Sequence, residues 1–244
     1  FPAINISLLC AVMTMGLKPI IITSVGSSSW GANYPDFTYL DMESILFNKG
    51  IIKFKTVAAS IGGADDIGRG RSPEGREMIM KAIKRNKISI FINDRPLEKV
   101  IERRMKIYDS LAQGERIKAF VNIGGGIANL GDSDLRDIIE SGIVFPYNTP
   151  IQTKNLPLKG VIIKFLERGI PVINLVDIKR IAKKYDMPVS QRVIPLPGEG
   201  SLFYEYRIPI SLIIIELLIF ILIIYIVLFP EKIFYYKRKM EENV

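Results

Sequence analysis

Most of the side chains and amides that could do chemistry here fall in three short stretches. They read SVGSSSWGAN (residues 24–33), ASIGGADDIGRGRS (59–72) and IGGGIANLG (123–131). Each follows an apolar run, and small residues leave backbone N–H groups open to a ligand. The candidate ligand-binding residues are Ser24, Gly26, Ser27, Ser28 and Trp30 in the first stretch. In the second they are Gly62, Gly63, Asp65, Asp66, Arg69 and Arg71, and in the third Gly124, Gly125, Gly126 and Asn129. Arg69 and Arg71 flank Gly70, with Arg76 just beyond, and such guanidinium groups suit bidentate capture of a carboxylate or phosphate. The expected ligand is therefore anionic. Trp30 either lines the cavity or plugs the core. The glycines serve equally as turn residues wherever the backbone needs positive φ. What favours a ligand is the repetition of the same construction in three loops.

The serines raise a second chemistry. Ser27, Ser28 and Ser29, and Ser24 before them, stand where a nucleophile would face backbone donors, as in an oxyanion hole. The base would have to be a lysine or a carboxylate such as Asp65 or Asp66, because the chain has no histidine. That absence excludes Ser-His-Asp and Cys-His machinery and every His-ligated zinc motif. The single cysteine, Cys10, lies in an apolar run and is expected to be buried, and no disulfide can form within the chain. Asp65 and Asp66, with Asp41 or Asp177, carry the oxygens a hard cation needs. Adjacent aspartates point in different directions, however, and no metal site is assigned. The third stretch departs from GxGxxG spacing and no Walker-A lysine follows it, so no nucleotide or other cofactor is assigned.

Elements must now be found to carry these loops. Strand candidates are residues 19–23, 53–59, 88–92, 118–122 and 171–175, and helix candidates are 38–48, 73–85, 97–110, 159–168 and 177–184. Asp36 is the expected N-cap of the first of these helices, and Ser72-Pro73-Glu74 reads as a cap and first turn. Gly50 and Gly169 fit positions just past helix ends. Strand and helix alternating in this way predict an α/β fold: an open, mostly parallel sheet with helices on both faces. All three loops would then leave the carboxyl-terminal edge of the sheet, where open α/β folds bind ligands. Residues 3–15 read as a core helix. Because the chain opens on Phe1 within such a segment, the domain (residues 1–186) is expected to be N-terminally incomplete. Residues 132–157 read as irregular, a lid or a long connection. Residues 187–207 are a Pro/Gly-rich linker.

Residues 208–229, IPISLIIIELLIFILIIYIVLF, are apolar apart from Ser211 and Glu216 and suit a transmembrane helix. Tyr204, Tyr206, Tyr225, Phe229, Tyr235 and Tyr236 supply interfacial aromatics. Lys232, Lys237, Arg238 and Lys239 follow the span, so the tail (230–244) is expected in the cytoplasm and the α/β domain outside. The net charge is +8, and residues 208–244 hold as many acidic as basic side chains, so the surplus belongs to the domain and its linker. An anionic partner fits that surplus. Nucleic acid does not fit the expected exterior location or the lack of an interleaved aromatic platform. Glu216 lies well inside the hydrocarbon, where a carboxylate is costly, and predicts a polar or basic partner on another membrane helix; the alternative is a protonated Glu tolerated among its apolar neighbours.

The chain also resembles a bacterial family, the poly-gamma-glutamate system proteins (PgsW-like). The residues that carry the likeness are FPAINIS (1–7), SVGSSSWGANYPDFTYLDME (24–43), AASIGGADDIGRGRSPEG (58–75), VNIGGGIANLG (121–131), FLERGIPVINLVD (165–177) and LPGEG (196–200). The match is colinear over most of residues 1–200. The resemblance implies an accessory component of a membrane system that makes or exports poly-gamma-glutamate, an anionic capsule polymer. Membrane-embedded synthase or export subunits would be its partners. It brings no catalytic residues with it. The alternative activity is a serine-dependent amide hydrolase or transferase acting on gamma-glutamyl bonds.

Overall fold

A computed structural model of the chain describes residues 2–27, 33–132, 135–148, 156–185, 187, 196, 198 and 209–230. The chain divides into two compact units, Phe1–Tyr185 and Asp186–Val244. The first is α/β with mostly parallel strands. After helix α1 (Pro2–Thr14) come β1 (Ile22–Ser24), a hairpin of β2 (Asn33–Tyr34) and β3 (Phe37–Thr38), then α2 (Tyr39–Asn48), β4 (Ala58–Ser60), α3 (Pro73–Arg85) and β5 (Ile90–Ile92). Then follow α4 (Leu97–Ala112), β6 (Phe120–Ile123), α5 (Ile127–Leu130), α6 (Leu135–Ile138), β7 (Gly142–Val144), α7 (Val161–Glu167), β8 (Val172–Leu175) and α8 (Ile178–Lys184).

The strands sort into two three-stranded sheets rather than one continuous sheet, in the orders β1-β4-β5 and β6-β8-β7. The first is wholly parallel; in the second, β6 and β8 are parallel and β7 runs antiparallel to β8. One core serves both sheets. Ala58 and Ile92 of the first join Phe120 and Val172 of the second, together with Val100, Ile101 and Met105 of α4 and Val161, Ile162, Ile163, Phe165 and Leu166 of α7. A second cluster gathers Ala59, Leu40 of α2, and Ile79 and Ile83 of α3. Adjacent strand residues face opposite ways, so Ala58 and Ala59 put α4 on one face of the first sheet and α2 and α3 on the other.

Local chemistry explains the boundaries. At α3 the Ser72 side chain accepts from the Gly75 amide at 3.1 Å and Pro73 opens the helix, as the sequence predicts. At α2 the expectation fails: the N-cap is Thr38, not Asp36, and the Asp41 carboxylate accepts from Thr38 N (2.6 Å) and Oγ1 (2.7 Å). Residues 53–57 are not strand. The Thr56 amide donates to buried Glu43 at 2.8 Å instead of to a neighbouring strand, which leaves only Ala58–Ser60 in the ladder. The stretch expected to be irregular contains α6 and β7, the latter paired with β8. Helix α1 and Cys10 also depart from expectation. Its apolar residues lie all round the axis, so no single stripe is selected for the core; among them only Leu9 is buried and Cys10 is exposed.

In the second unit, α9 (Ile210–Leu228) is apolar apart from Ser211 and Glu216. Its 19 residues at roughly 1.5 Å each make a rod about 28 Å long, which suits a bilayer core. Among the described residues it is the helix long and apolar enough to cross a membrane.

Candidate functional site

The carboxyl ends of β1 and β4 are in register, so Ser24 lies beside Ser60, and their hydroxyls are 3.2 Å apart. Into this corner α4 inserts Arg104, which is 2% exposed. Its Nη2 donates to Ser24 Oγ (2.7 Å), Ser60 Oγ (3.1 Å) and Asp66 Oδ2 (2.6 Å). Its Nη1 donates to Asn129 Oδ1 at 3.3 Å. Ser24 in turn donates to Asp66 Oδ1 at 2.8 Å. A guanidinium buried this deeply is tolerable because a carboxylate and several oxygens receive its two Nη groups, although its Nε is buried with no hydrogen-bond partner among the described residues. Ser24, Asp66 and Asn129, one from each predicted loop, thus meet on a single side chain.

The network continues into the second sheet. Parallel register sets Asn122 of β6 beside Asn174 of β8, and Asn122 Nδ2 donates to Asn174 Oδ1 at 2.8 Å and to the Gly124 carbonyl at 2.9 Å. Asn129 Nδ2 donates to Asn122 Oδ1 at 2.8 Å, and Asn174 Nδ2 donates to the Glu140 carbonyl at 3.0 Å. The third loop is therefore fixed by amide side chains that its own strands supply, and the Gly124 amide donates to the Leu175 carbonyl at 3.1 Å.

Arg71 shares a buried, unpartnered Nε with Arg104 but, unlike Arg104, has no hydrogen bond from its Nη groups either. No hydrogen bond to its guanidinium is found among the described residues, and its Nε is buried. The Arg71 side chain lies against two predicted glycines: a Cβ on Gly26 would come 2.9 Å from Arg71 Cζ, and one on Gly63 would come 3.3 Å from Arg71 Nε. A Cβ on Gly26 would also meet the Ile61 carbonyl oxygen at 2.6 Å, which accepts from the Gly26 amide. Glycine at position 26 is thus the condition for this close approach. The other arginines of the motif are committed. Arg69 pairs with Asp65 at 2.8 Å, and Arg76 Nη1 donates to the Arg71 carbonyl at 2.8 Å.

The predicted residues can now be placed. Ser24, Asp66 and Asn129 converge on Arg104; Gly26, Gly63 and Arg71 form a second, adjoining group; Gly62 accepts from Gly68 N and donates to the Asp66 carbonyl. Asp65 and Asp66 do point apart, one to Arg69 and one to Arg104. Gly126 is the N-cap of α5, with Gly125 immediately before it. Ser27 closes a short 3-10 turn after β1, while Ser28, Ser29 and Trp30 lie outside the described residues. Asp41 is paired with Arg85 and Asp177 caps α8, so neither joins the two loop aspartates. Ser24 is not a free nucleophile: its oxygen accepts from Arg104 and Ser60 while its proton goes to a carboxylate already paired with a guanidinium.

Arg104, Asn122 and Asn174 lie outside the three loop stretches, and Ser60, though inside the second, is not among the candidates read from it. A signal for Arg104 was present, since it interrupts the apolar stripe of Leu97, Val100, Ile101, Met105 and Tyr108 at helical spacing. Asn122 and Asn174 likewise interrupt apolar strands, FVNI and VINL. A second buried acid lies at the other end of β1's neighbourhood. Burial pushes the Glu43 carboxyl up, against the opposing pull of hydrogen bonds from Thr56 N and Oγ1, and burial beside Glu43 raises the Tyr39 hydroxyl too. Two open depressions of about 410 and 340 Å³ lie elsewhere, along α4 and α7 and at the amino-terminal end of β6 and β8. Their walls mix both charge signs, and Arg168 and Asp109 pair there at 2.6 Å. They have none of the backbone donors that the loops gather. No family model, no curated protein and no solved structure matches this chain.

Proposed function

We propose that this chain is a membrane-anchored accessory component of poly-gamma-glutamate synthesis or export, whose α/β unit holds the anionic polymer or an anionic precursor at the loops following β1 and β4. The observation that carries the ligand is Arg71, a guanidinium with a buried Nε and no hydrogen-bonded partner among the described residues, packed on Gly26 and Gly63. A cation drawn partly out of water is costly until a counter-charge arrives, and a carboxylate matches its fork. The surplus of basic side chains in residues 1–207 would concentrate a polyanion around it. The colinear motifs supply the identity of the polymer, and α9 supplies the anchor. The basic tail orients that anchor, with the α/β unit outside and residues 230–244 in the cytoplasm. Glu216 is the contact to the membrane-embedded subunits.

The test is a titration of the full chain in detergent with labelled poly-gamma-glutamate at several salt concentrations. Affinity should fall as salt rises, because exposed charge pairs are screened. Arg71→Gln should weaken binding about tenfold, the equivalent of roughly 1.4 kcal/mol, with little change in melting temperature. Salt-independent binding, or an Arg71→Gln chain that binds like the wild type, would overturn the reading.

A further inference from the structure

The segment from Ile61 to Ser72 has an uncommon backbone. Gly62, Gly63, Asp65, Asp66, Gly68 and Gly70 all have φ between 54° and 81°. Two of these carry a side chain, and left-handed backbone is disfavoured for them unless the surroundings hold it. Among the described residues, Asp65 is held from within the segment, by exposed Arg69. Asp66 is held from outside. Its carboxylate receives buried Arg104 Nη2 at 2.6 Å and the part-buried Ser24 hydroxyl at 2.8 Å.

From Asp66 the constraint passes to Arg71 through a short sequence of contacts. The Asp66 amide donates to the Gly63 carbonyl at 3.0 Å, and its carbonyl accepts from the Gly62 amide at 3.3 Å. Gly63 is the surface against which Arg71 Nε lies, and the Arg71 amide donates to the Gly68 carbonyl at 3.1 Å. Resting on the reading of Arg71 as the anion contact, we propose that Arg104 is the positioning residue of that site. Through Asp66 it fixes the left-handed segment that presents Arg71, and through Asn129 it ties the third loop to the same rim. Arg104 does not touch the ligand. Its position requires arginine: one planar fork reaches Ser24, Ser60 and Asp66 on one arm and Asn129 on the other, which a point-like ammonium cannot do.

Arg104→Lys keeps the charge opposite Asp66 and loses the fork. The expected result is about tenfold weaker binding of labelled poly-gamma-glutamate with an unchanged salt dependence, since Arg71 and the ligand charges are untouched. Arg71→Gln, in contrast, should flatten the salt dependence. Hydrogen exchange gives a readout that needs no ligand. The amides of Asp66, Gly68 and Arg71 should exchange faster in Arg104→Lys, while those of β6 and β8 keep wild-type protection. If Arg104→Lys fails to fold, Asn129→Ala removes the arm to the third loop together with the Asn129–Asn122 bond, leaves the Asp66 arm in place, and should weaken binding a few-fold. A folded Arg104→Lys or Asn129→Ala chain with wild-type affinity and wild-type exchange in residues 61–72 overturns the positioning role alone. A wild-type chain that binds no polymer overturns the anion reading and this one with it.

Discussion

At Asp41 two effects oppose each other. Burial alone would raise its carboxyl, but hydrogen bonds from Arg85, Asn86 and Thr38 outweigh burial and hold it well below the ordinary value of 3.8. A carboxyl depressed in the folded chain stabilises the fold above its unfolded value, and the gain is lost as pH falls toward the folded value. At neutral pH Asp41→Asn should therefore cost about 1–2 kcal/mol, allowing for partial exposure of the ion pair. The gap between variant and wild type should narrow below pH 3.8. Urea unfolding at pH 7 and at acidic pH measures both terms, and a gap that stays constant would contradict the assignment. Glu43 works in the opposite sense. Its raised carboxyl favours the fold below the unfolded value of 4.5, and that benefit is lost as pH rises. Comparison with Asp41→Asn, rather than the wild-type profile alone, separates the two.

At the scale of elements, the third loop depends on how closely α5 can approach α7. A Cβ on Gly131 would strike the backbone of Leu158 and Gly160, and Gly131 has a φ of +89°. A Cβ on Gly160 would strike Leu130 and Gly131 in turn. Two glycines thus allow backbone to pass backbone at the point where the polar network enters the second sheet. Gly131→Ala should destabilise the unit by about 2–4 kcal/mol, since overpacking and a disfavoured φ add. A denaturant midpoint within error of the wild type would show that the helices separate freely there. Farther along the same helices the packing is apolar and conventional. Tyr108, Phe120 and Phe165 bring α4, β6 and α7 together, with ring centroids 4.8 to 5.9 Å apart.

At the scale of the whole molecule, the α/β unit and the apolar helix do different work. Glu216 is the one carboxylate in a helix otherwise built of aliphatic and aromatic residues with Ser211, and at the bilayer centre such a group costs about 2.5–3.5 kcal/mol on insertion scales. Under the proposed function that cost is offset by a partner helix. Glu216→Leu should leave the chain in the membrane fraction while reducing its co-purification with the synthase or export subunits. Equal co-purification from the variant would remove Glu216 as a contact.

The legible parts of the fold are those written in local chemistry. Pro73–Arg85 could be read off because its cap, its proline and its apolar stripe all lie within it. The helix α9 could be read off from apolar length. Cys10 was misread because an apolar run does not say whether another layer covers it. The strand β7 was not legible, since three residues carry no periodicity and its pairing with β8 joins segments far apart in the chain.

The three loops illustrate the same division. Their small residues, and Arg71 among them, are visible in the chain because backbone exposure is a local property. Their meeting point is not, because Arg104 enters from a helix whose sequence gives it only as a misplaced charge. Only packing could turn that charge into a partner for Ser24, Asp66 and Asn129. The reason is electrostatic: a buried guanidinium needs a counter-charge and acceptors for its Nη groups, and those are drawn from residues up to 80 positions away.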